Sequence, residues 1–140
     1  MGLLLDTGVL IRAERGGKAT LDFSPWSRFG DAAISVVTAS ELLVGVHRAI
    51  PEHRRIRRSA SVEAMLAALP ILDITLEVAR AHAELVAAMR QQGLTLGAND
   101  AYIAATALAG GRALLTTDAE DFRRVPGLIV LPLDQPPTAQ

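Results

Sequence analysis

The sequence predicts an α/β fold built on a parallel sheet, and three observations carry that prediction. Four short runs, Leu3–Leu5, Ala32–Val37, Ala113–Thr116 and Leu128–Leu131, are apolar almost throughout, as strands covered on both faces should be. Segments with helical spacing separate them, and alternating strands and helices imply right-handed crossovers between parallel strands. Gly93, Gly97 and the pair Gly110–Gly111 stand where helical patterns stop, as chain-reversing residues do.

Taken in order, Leu3–Leu5 opens the chain as a strand and Thr7–Glu14 reads as a short helix. Ala32–Val37 is the second strand, followed by a helix over Thr38–Ala49. The Arg- and Ala-rich segment Pro51–Leu69 reads as a further helix, and Pro70–Leu72 as a weaker strand. Thr75–Gln92 places Val78, His82, Leu85, Val86 and Met89 at helical spacing. Asn99–Ala109 is almost entirely small or apolar, which suits a helix packed deep in the molecule. Ala113–Thr116 and Leu128–Leu131 complete the sheet. Residues 1–133 form one domain, and the Pro-rich segment 134–140 is expected to fray.

Composition narrows the function classes. With 140 residues, half of them apolar and 21% charged, the chain has enough material for one globular core. The net charge of −1 neither demands nor excludes nucleic acid, so any such argument must be local. The absence of cysteine removes disulfides, thiolate metal sites and a cysteine nucleophile. No basic segment precedes the first apolar residues, and no apolar run is long enough to span a bilayer. A soluble, cytoplasmic protein is expected. No P-loop or GxGxxG motif supports a nucleotide cofactor.

The chemistry lies in the acids. Asp6 follows the first strand, Glu41 lies just after the second, Asp100 opens the apolar helix after "LGAN", and Asp118 follows "ALLTT" with Asp121 three residues on. Each has an ordinary explanation, since helix N-termini attract acids. Asp6 and Asp118 suit N-caps, Asn99 could cap with Asp100 behind it, and "TASE" (Thr38 to Glu41) fits a capping box with Glu41 at N3. Together they admit a second explanation. In a parallel sheet the C-terminal strand ends share one edge, where open α/β sheets place their sites. Carboxylates gathered there repel and raise one another's pKa values, and a hard, oxygen-bound cation such as Mg2+ or Mn2+ relieves the repulsion. Such a centre activates water and offsets charge on a phosphoryl group.

The stretches "LLLDTGVLI", "ISVVTASELLVGVHRA" and "LGANDAYIAATALAGGRALLTTDAEDFRRVPGLIVL" resemble the PIN-domain family, specifically the VapC-type toxins of bacterial toxin–antitoxin pairs. The resemblance covers nearly the whole chain. It implies a three-layer α/β/α PIN-like domain with a short, mainly parallel sheet, and a Mg2+- or Mn2+-dependent ribonuclease acting on tRNA or other structured RNA. It further implies Asp6 and Asp100 as principal metal ligands, Glu41 and Asp118 completing the acidic set directly or through water, and Thr7, Thr117 and Asp121 at the pocket. The partners implied are an RNA substrate, a small cognate VapB-like antitoxin that docks a peptide near the acids, and a second copy of the chain in a homodimer. DNA would be bound only through the antitoxin. Many relatives carry Asn or Ser where this chain has Gly8. Two alternatives stand beside this reading: a binding module in which the acids serve only as caps, and a PIN nuclease outside any toxin system, acting on RNA or DNA.

Other polar features are secondary. Within "HRRIRR", Arg54, Arg57 and Arg58 share a helix face and could contact RNA phosphates, or simply be solvated. Arg123 and Arg124 follow the acidic loop and could also touch backbone phosphate. His47, His53 and His82 are unclustered, with His82 and Tyr102 read as packing residues and Trp26 as a packing anchor beneath a loop.

Overall fold

A computed structural model describes residues 1–16 and 22–138. Its centre is a parallel sheet of five strands: β1 (Leu3–Leu5), β2 (Ala32–Ser35), β3 (Ile71–Leu72), β4 (Ala113–Thr116) and β5 (Val130–Pro132). They lie in the order β3-β2-β1-β4-β5, with Leu3 paired to Ala32 on one side and to Ala113 on the other. The chain fills one half of the sheet from β1 outward through β3. It then returns past β1 to lay down β4 and β5. The strand order therefore reverses beside β1, the position at which doubly wound sheets open a crevice.

Six α-helices are found among the described residues: α1 (Thr7–Arg15), α2 (Val36–Arg48), α3 (Glu52–Ala68), α4 (Leu76–Gln91), α5 (Ala98–Ala109) and α6 (Ala119–Phe122). A 3-10 helix, Ser24–Phe29, precedes β2. Alternation along the strands decides which helix covers which face. Leu3, Leu5, Ala113 and Leu115 pack with Val9 and Leu10 of α1, Leu42 and Val46 of α2, Val62 of α3, and Trp26. Leu4 and Leu114 turn to the opposite face, against Val78, Leu85 and Met89 of α4 and Ala101, Ile103, Ala104 and Ala105 of α5. The result is the expected three-layer α/β/α arrangement. Burial of each leucine in β1 and β4 contributes about 1.5–3 kcal/mol, which is why such short strands hold together. The small residues of α5 let it lie close to the sheet, with Ile103, Ala104, Ala105 and Ala107 fully buried.

Several boundaries differ from those expected. The second strand stops at Ser35, because its hydroxyl accepts the Val37 N–H at 3.1 Å and caps α2 two residues earlier than the apolar pattern suggests. The "TASE" capping box is therefore not formed: Thr38 is already the third helical residue, and Glu41 lies in the second turn. β5 begins at Val130 rather than Leu128. Gly127, at φ +78°, turns the chain, and pairing with β4 starts where Leu114 N–H reaches Ile129 O at 2.8 Å. Asp134, at the start of the expected tail, pairs with Arg12, whereas residues 139–140 lie outside the described part. No helix among the described residues is long and apolar enough to cross a membrane.

Candidate active site

The C-terminal edge of the sheet is also where α1, α2 and α6 begin, since each follows a strand directly. Helix α5 runs back toward the start of β4, so its first turn lies at that same edge. Asp6, Glu41, Asp100, Asp118 and Asp121 are thereby brought to one end of the sheet, beside the point where the strand order reverses.

Asp6 is the most firmly held. Its Oδ1 accepts the Thr7 N–H at 2.8 Å, so it does cap α1. Its Oδ2 accepts a hydrogen bond from the Thr116 hydroxyl at 2.7 Å, and Thr116 Oγ1 in turn accepts the Asp118 N–H at 2.9 Å. A fully buried threonine at the end of β4 thus ties two of the acids' segments together. Thr7 plays a matching part across the site. Its hydroxyl donates to Glu41 Oε1 at 2.7 Å and lies 3.1 Å from the hydroxyl oxygen of Thr38, itself fully buried.

The electrostatics follow from this placement. Burial pushes the Asp6 carboxyl above its ordinary value, opposed by the Thr116 and Thr7 hydrogen bonds and reinforced by the Glu41 and Asp118 charges. Asp100 is pushed up to about 6, first by burial and then by the charges of Asp6, Glu41, Asp118 and Asp121. Asp118 is raised too, by desolvation and then by Asp121 beside it. Among the described residues, Asp6, Glu41, Asp100 and Asp118 have no Arg, Lys or His in an ion pair with them.

Asp6, Glu41, Asp100 and Asp118 share a field with no hydrogen bond between any two of them. Among the described residues no three Asp, Glu or His side chains stand close enough together to form a ready ligand set. Glu41 is held by Thr7 and Asp6 by Thr116, and like charges held on separate elements keep apart. As donors they still suit a hard divalent cation: they are carboxylate oxygens with no ion-pair partner among the described residues, and neither sulfur nor imidazole is needed.

Capping explains only Asp6. α5 begins at Ala98, with Gly97 rather than Asn99 in the cap position, and Asp118 precedes α6 without a capping hydrogen bond. Glu41 lies beyond its helix's first turn. Asp121 faces Arg124, with Nη2 at 3.6 Å from its Oδ1, and the same guanidinium reaches Asp121 O and Thr95 O, each at 3.2 Å. Thr117 stands at the β4–α6 junction, partly exposed.

The arginines of α3 are not at this edge. α3 begins where α2 ends, at the far end of the sheet. Arg58 is turned inward, 3.1 Å from Glu14 of α1 and 3.5 Å from Gly45 O of α2, while Arg54 and Arg57 point to solvent. His82 stacks on Tyr102 at 4.0 Å between ring centroids, so both pack as expected. Trp26 is buried in the core. Thr116, expected only as a strand end, and Thr38, expected only as a helix cap, belong to the site. Their signal was present in the positions themselves, a threonine closing the apolar run "ALLT" and another three residues after Ser35.

A PIN-domain family model matches residues 3–128. The chain is 39% identical over 131 residues to Ribonuclease VapC1 of Rickettsia felis, covering 94% of this chain and 96% of that one. A more distant relative, tRNA(fMet)-specific endonuclease VapC of Shigella flexneri, is 29% identical over 126 residues, covering 89% and 92%. In three dimensions the fold superposes on a chain of VapBC2 from Rickettsia felis, solved bound to a DNA fragment from its promoter. The TM-score is 0.84 at 26% identity, over 96% of this chain and all of that one. The chain belongs to the PIN-domain family and, within it, to the VapC group.

Proposed function

We propose that the protein is a metal-dependent endoribonuclease and the toxin of a VapBC-type toxin–antitoxin pair. The observation that carries this reading is the convergence of four other carboxylates on Asp100, of which Asp121 alone has a basic partner, Arg124, among the described residues. Asp6 and Asp100 would be the principal ligands of Mg2+ or Mn2+, with Glu41 and Asp118 completing the set directly or through water. The bound cation would supply a hydroxide-like nucleophile and electrostatic relief at a backbone phosphate.

The chain's own residues act around that centre. Thr116 holds Asp6 through Oδ2 and leaves the lone pairs of Oδ1 only partly used by Thr7 N–H. Thr7 fixes Glu41 so that its second oxygen remains free to accept a hydrogen bond from water. Asp100, raised to about 6 by burial and its acidic neighbours, would be held ionised by a cation beside it. Pre-positioned carboxylates reduce the reorganisation needed as charge develops.

The substrate is RNA, with tRNA the first to try, because one relative is named for a tRNA. The partner is a VapB-like antitoxin that would block the acids, carry the DNA contact and associate with a homodimer of this chain in the cytoplasm. The test is cleavage of total RNA by the purified protein with Mg2+ or Mn2+, mapped at the new RNA ends. Cleavage should stop with EDTA and in Asp100→Asn, and growth arrest on expression should vanish in Asp6→Ala. Full cleavage in EDTA or in Asp100→Asn would refute the reading.

A further inference from the structure

The first turn of α1 and the end of β4 meet at a point that only one side chain can fill. Gly8 is the second residue of α1, and a Cβ built there would overlap the hydroxyl oxygen of Thr117. The backbone on either side of Thr117 is held. Thr117 follows the last residue of β4, and the next N–H, that of Asp118, is bound to Thr116 Oγ1 at 2.9 Å. Its hydroxyl therefore rests against the glycine, one residue removed from Asp118 and opposite the segment that carries Asp6.

The other hydroxyls at this edge are committed. Thr116 is fully buried and bound to Asp6; Thr7 is buried and bound to Glu41; Thr38 is fully buried beside Thr7. Thr117 is partly exposed, and its hydroxyl enters no hydrogen bond with the described residues. The acids Asp6, Glu41, Asp100 and Asp118 at the same edge repel a phosphate and cannot donate to it when ionised. One neutral donor at the mouth of the acidic pocket is thus free to reach outward.

We propose that Thr117 is the residue that hydrogen-bonds a backbone phosphate oxygen of RNA at the mouth of the pocket, and that Gly8 lies opposite because any larger residue would displace that hydroxyl. The proposal rests on the ribonuclease reading above. Residues 8 and 117 form one polar position that can be filled from either element, but not from both at once.

Five variants test it: Thr117→Val, Thr117→Ser, Thr117→Ala, Gly8→Ser and the double variant Gly8→Ser/Thr117→Ala. Initial rates of Mn2+-supported cleavage are measured on bulk tRNA, with thermal melting in EDTA alongside. A neutral hydrogen bond gives the expected scale: Thr117→Val raises KM about three- to tenfold with kcat within about twofold. Thr117→Ser keeps KM near that of the parent protein. Gly8→Ser lowers the melting midpoint by about 3 °C or more where Thr117 is present. The double variant melts no lower than Thr117→Ala alone and recovers much of the lost KM, because the serine hydroxyl enters the vacated space. A parental KM in Thr117→Val overturns the phosphate contact. Equal melting losses for Gly8→Ser with and without Thr117 overturn the shared position. If the parent protein cuts no RNA while the melting coupling is present, the ribonuclease reading and the phosphate contact fall together and only the steric exclusion survives.

Discussion

Asp100→Asn offers a direct measure of whether the acids form a charged site or merely decorate helix ends. The carboxyl of Asp100 is raised from an ordinary 3.8 to about 6, first by burial and then by Asp6, Glu41, Asp118 and Asp121. At about 1.4 kcal/mol per tenfold change in proton affinity, the rise corresponds to about 3 kcal/mol. Asp100 is only half buried, so solvent screening reduces the usable part to about 1 kcal/mol. The sign follows from proton linkage. The folded protein holds this proton more tightly than the unfolded chain does, so stability falls as pH rises from about 4 to about 6 and stays reduced above that. Asparagine removes the charge permanently. In EDTA at pH 7.5, Asp100→Asn should therefore melt about 3 °C above the parent protein, and the gain should shrink toward zero at pH 4. Trp26 is the chain's single tryptophan and is 4% exposed, so its fluorescence reports the transition. A carboxylate acting only on the dipole of α5 would contribute about 0.3–1 kcal/mol in the opposite direction. If Asp100→Asn melts below the parent protein at pH 7.5 by a margin that shrinks at pH 4, the repulsion argument is refuted.

Three more outcomes test the site and its frame. Mn2+ at about 100 times its dissociation constant should stabilise the folded protein by about 2.7 kcal/mol in urea titrations, and Asp6→Asn should abolish most of that gain; an unchanged gain removes Asp6 from the ligand set. Thr116→Val leaves Asp6 Oδ2 without its donor and the Asp118 N–H without its acceptor, so it should destabilise by about 1–3 kcal/mol in chemical denaturation and slow RNA cleavage, whereas a variant with parental stability and rate would show that the bridge is idle. The arginines of α3 should separate. Arg58→Ala should lower the melting midpoint through loss of its Glu14 and Gly45 contacts, while the double variant Arg54→Ala/Arg57→Ala should keep its stability and flatten the salt dependence of RNA affinity by about two in slope. An unchanged slope would leave those two side chains as solvated surface.

Much of this was legible in the chain itself. The wholly apolar runs marked the strands because buried parallel strands have no wet face to show. The spacing of Val78, Leu85 and Met89 marked α4, and the small residues of α5 announced how deep it lies. Boundaries were harder. A β-branched pair such as Val36–Val37 favours a strand locally, but Ser35 offers a cap and the helix takes both residues. The 3-10 helix around Trp26 and the single turn of α6 are too short to leave a periodic signal. Arg58 was grouped with its neighbours by helical spacing, which cannot register an acid 44 residues away on another helix.

The sequence by itself determined the fold class, the set of acids and the chemistry that such a set invites, because hydrophobic periodicity and residue type are local properties. Tertiary structure alone decided how those acids are held. Thr7 reaches Glu41 across 34 positions and Thr116 reaches Asp6 across 110, contacts that exist only once β1, β2 and β4 lie side by side. It decided, too, that Gly8 and Thr117 meet, which gives the one departure from the expected motif a steric reason. Spacing along a chain says which residues share an element, and only packing says which elements share a space.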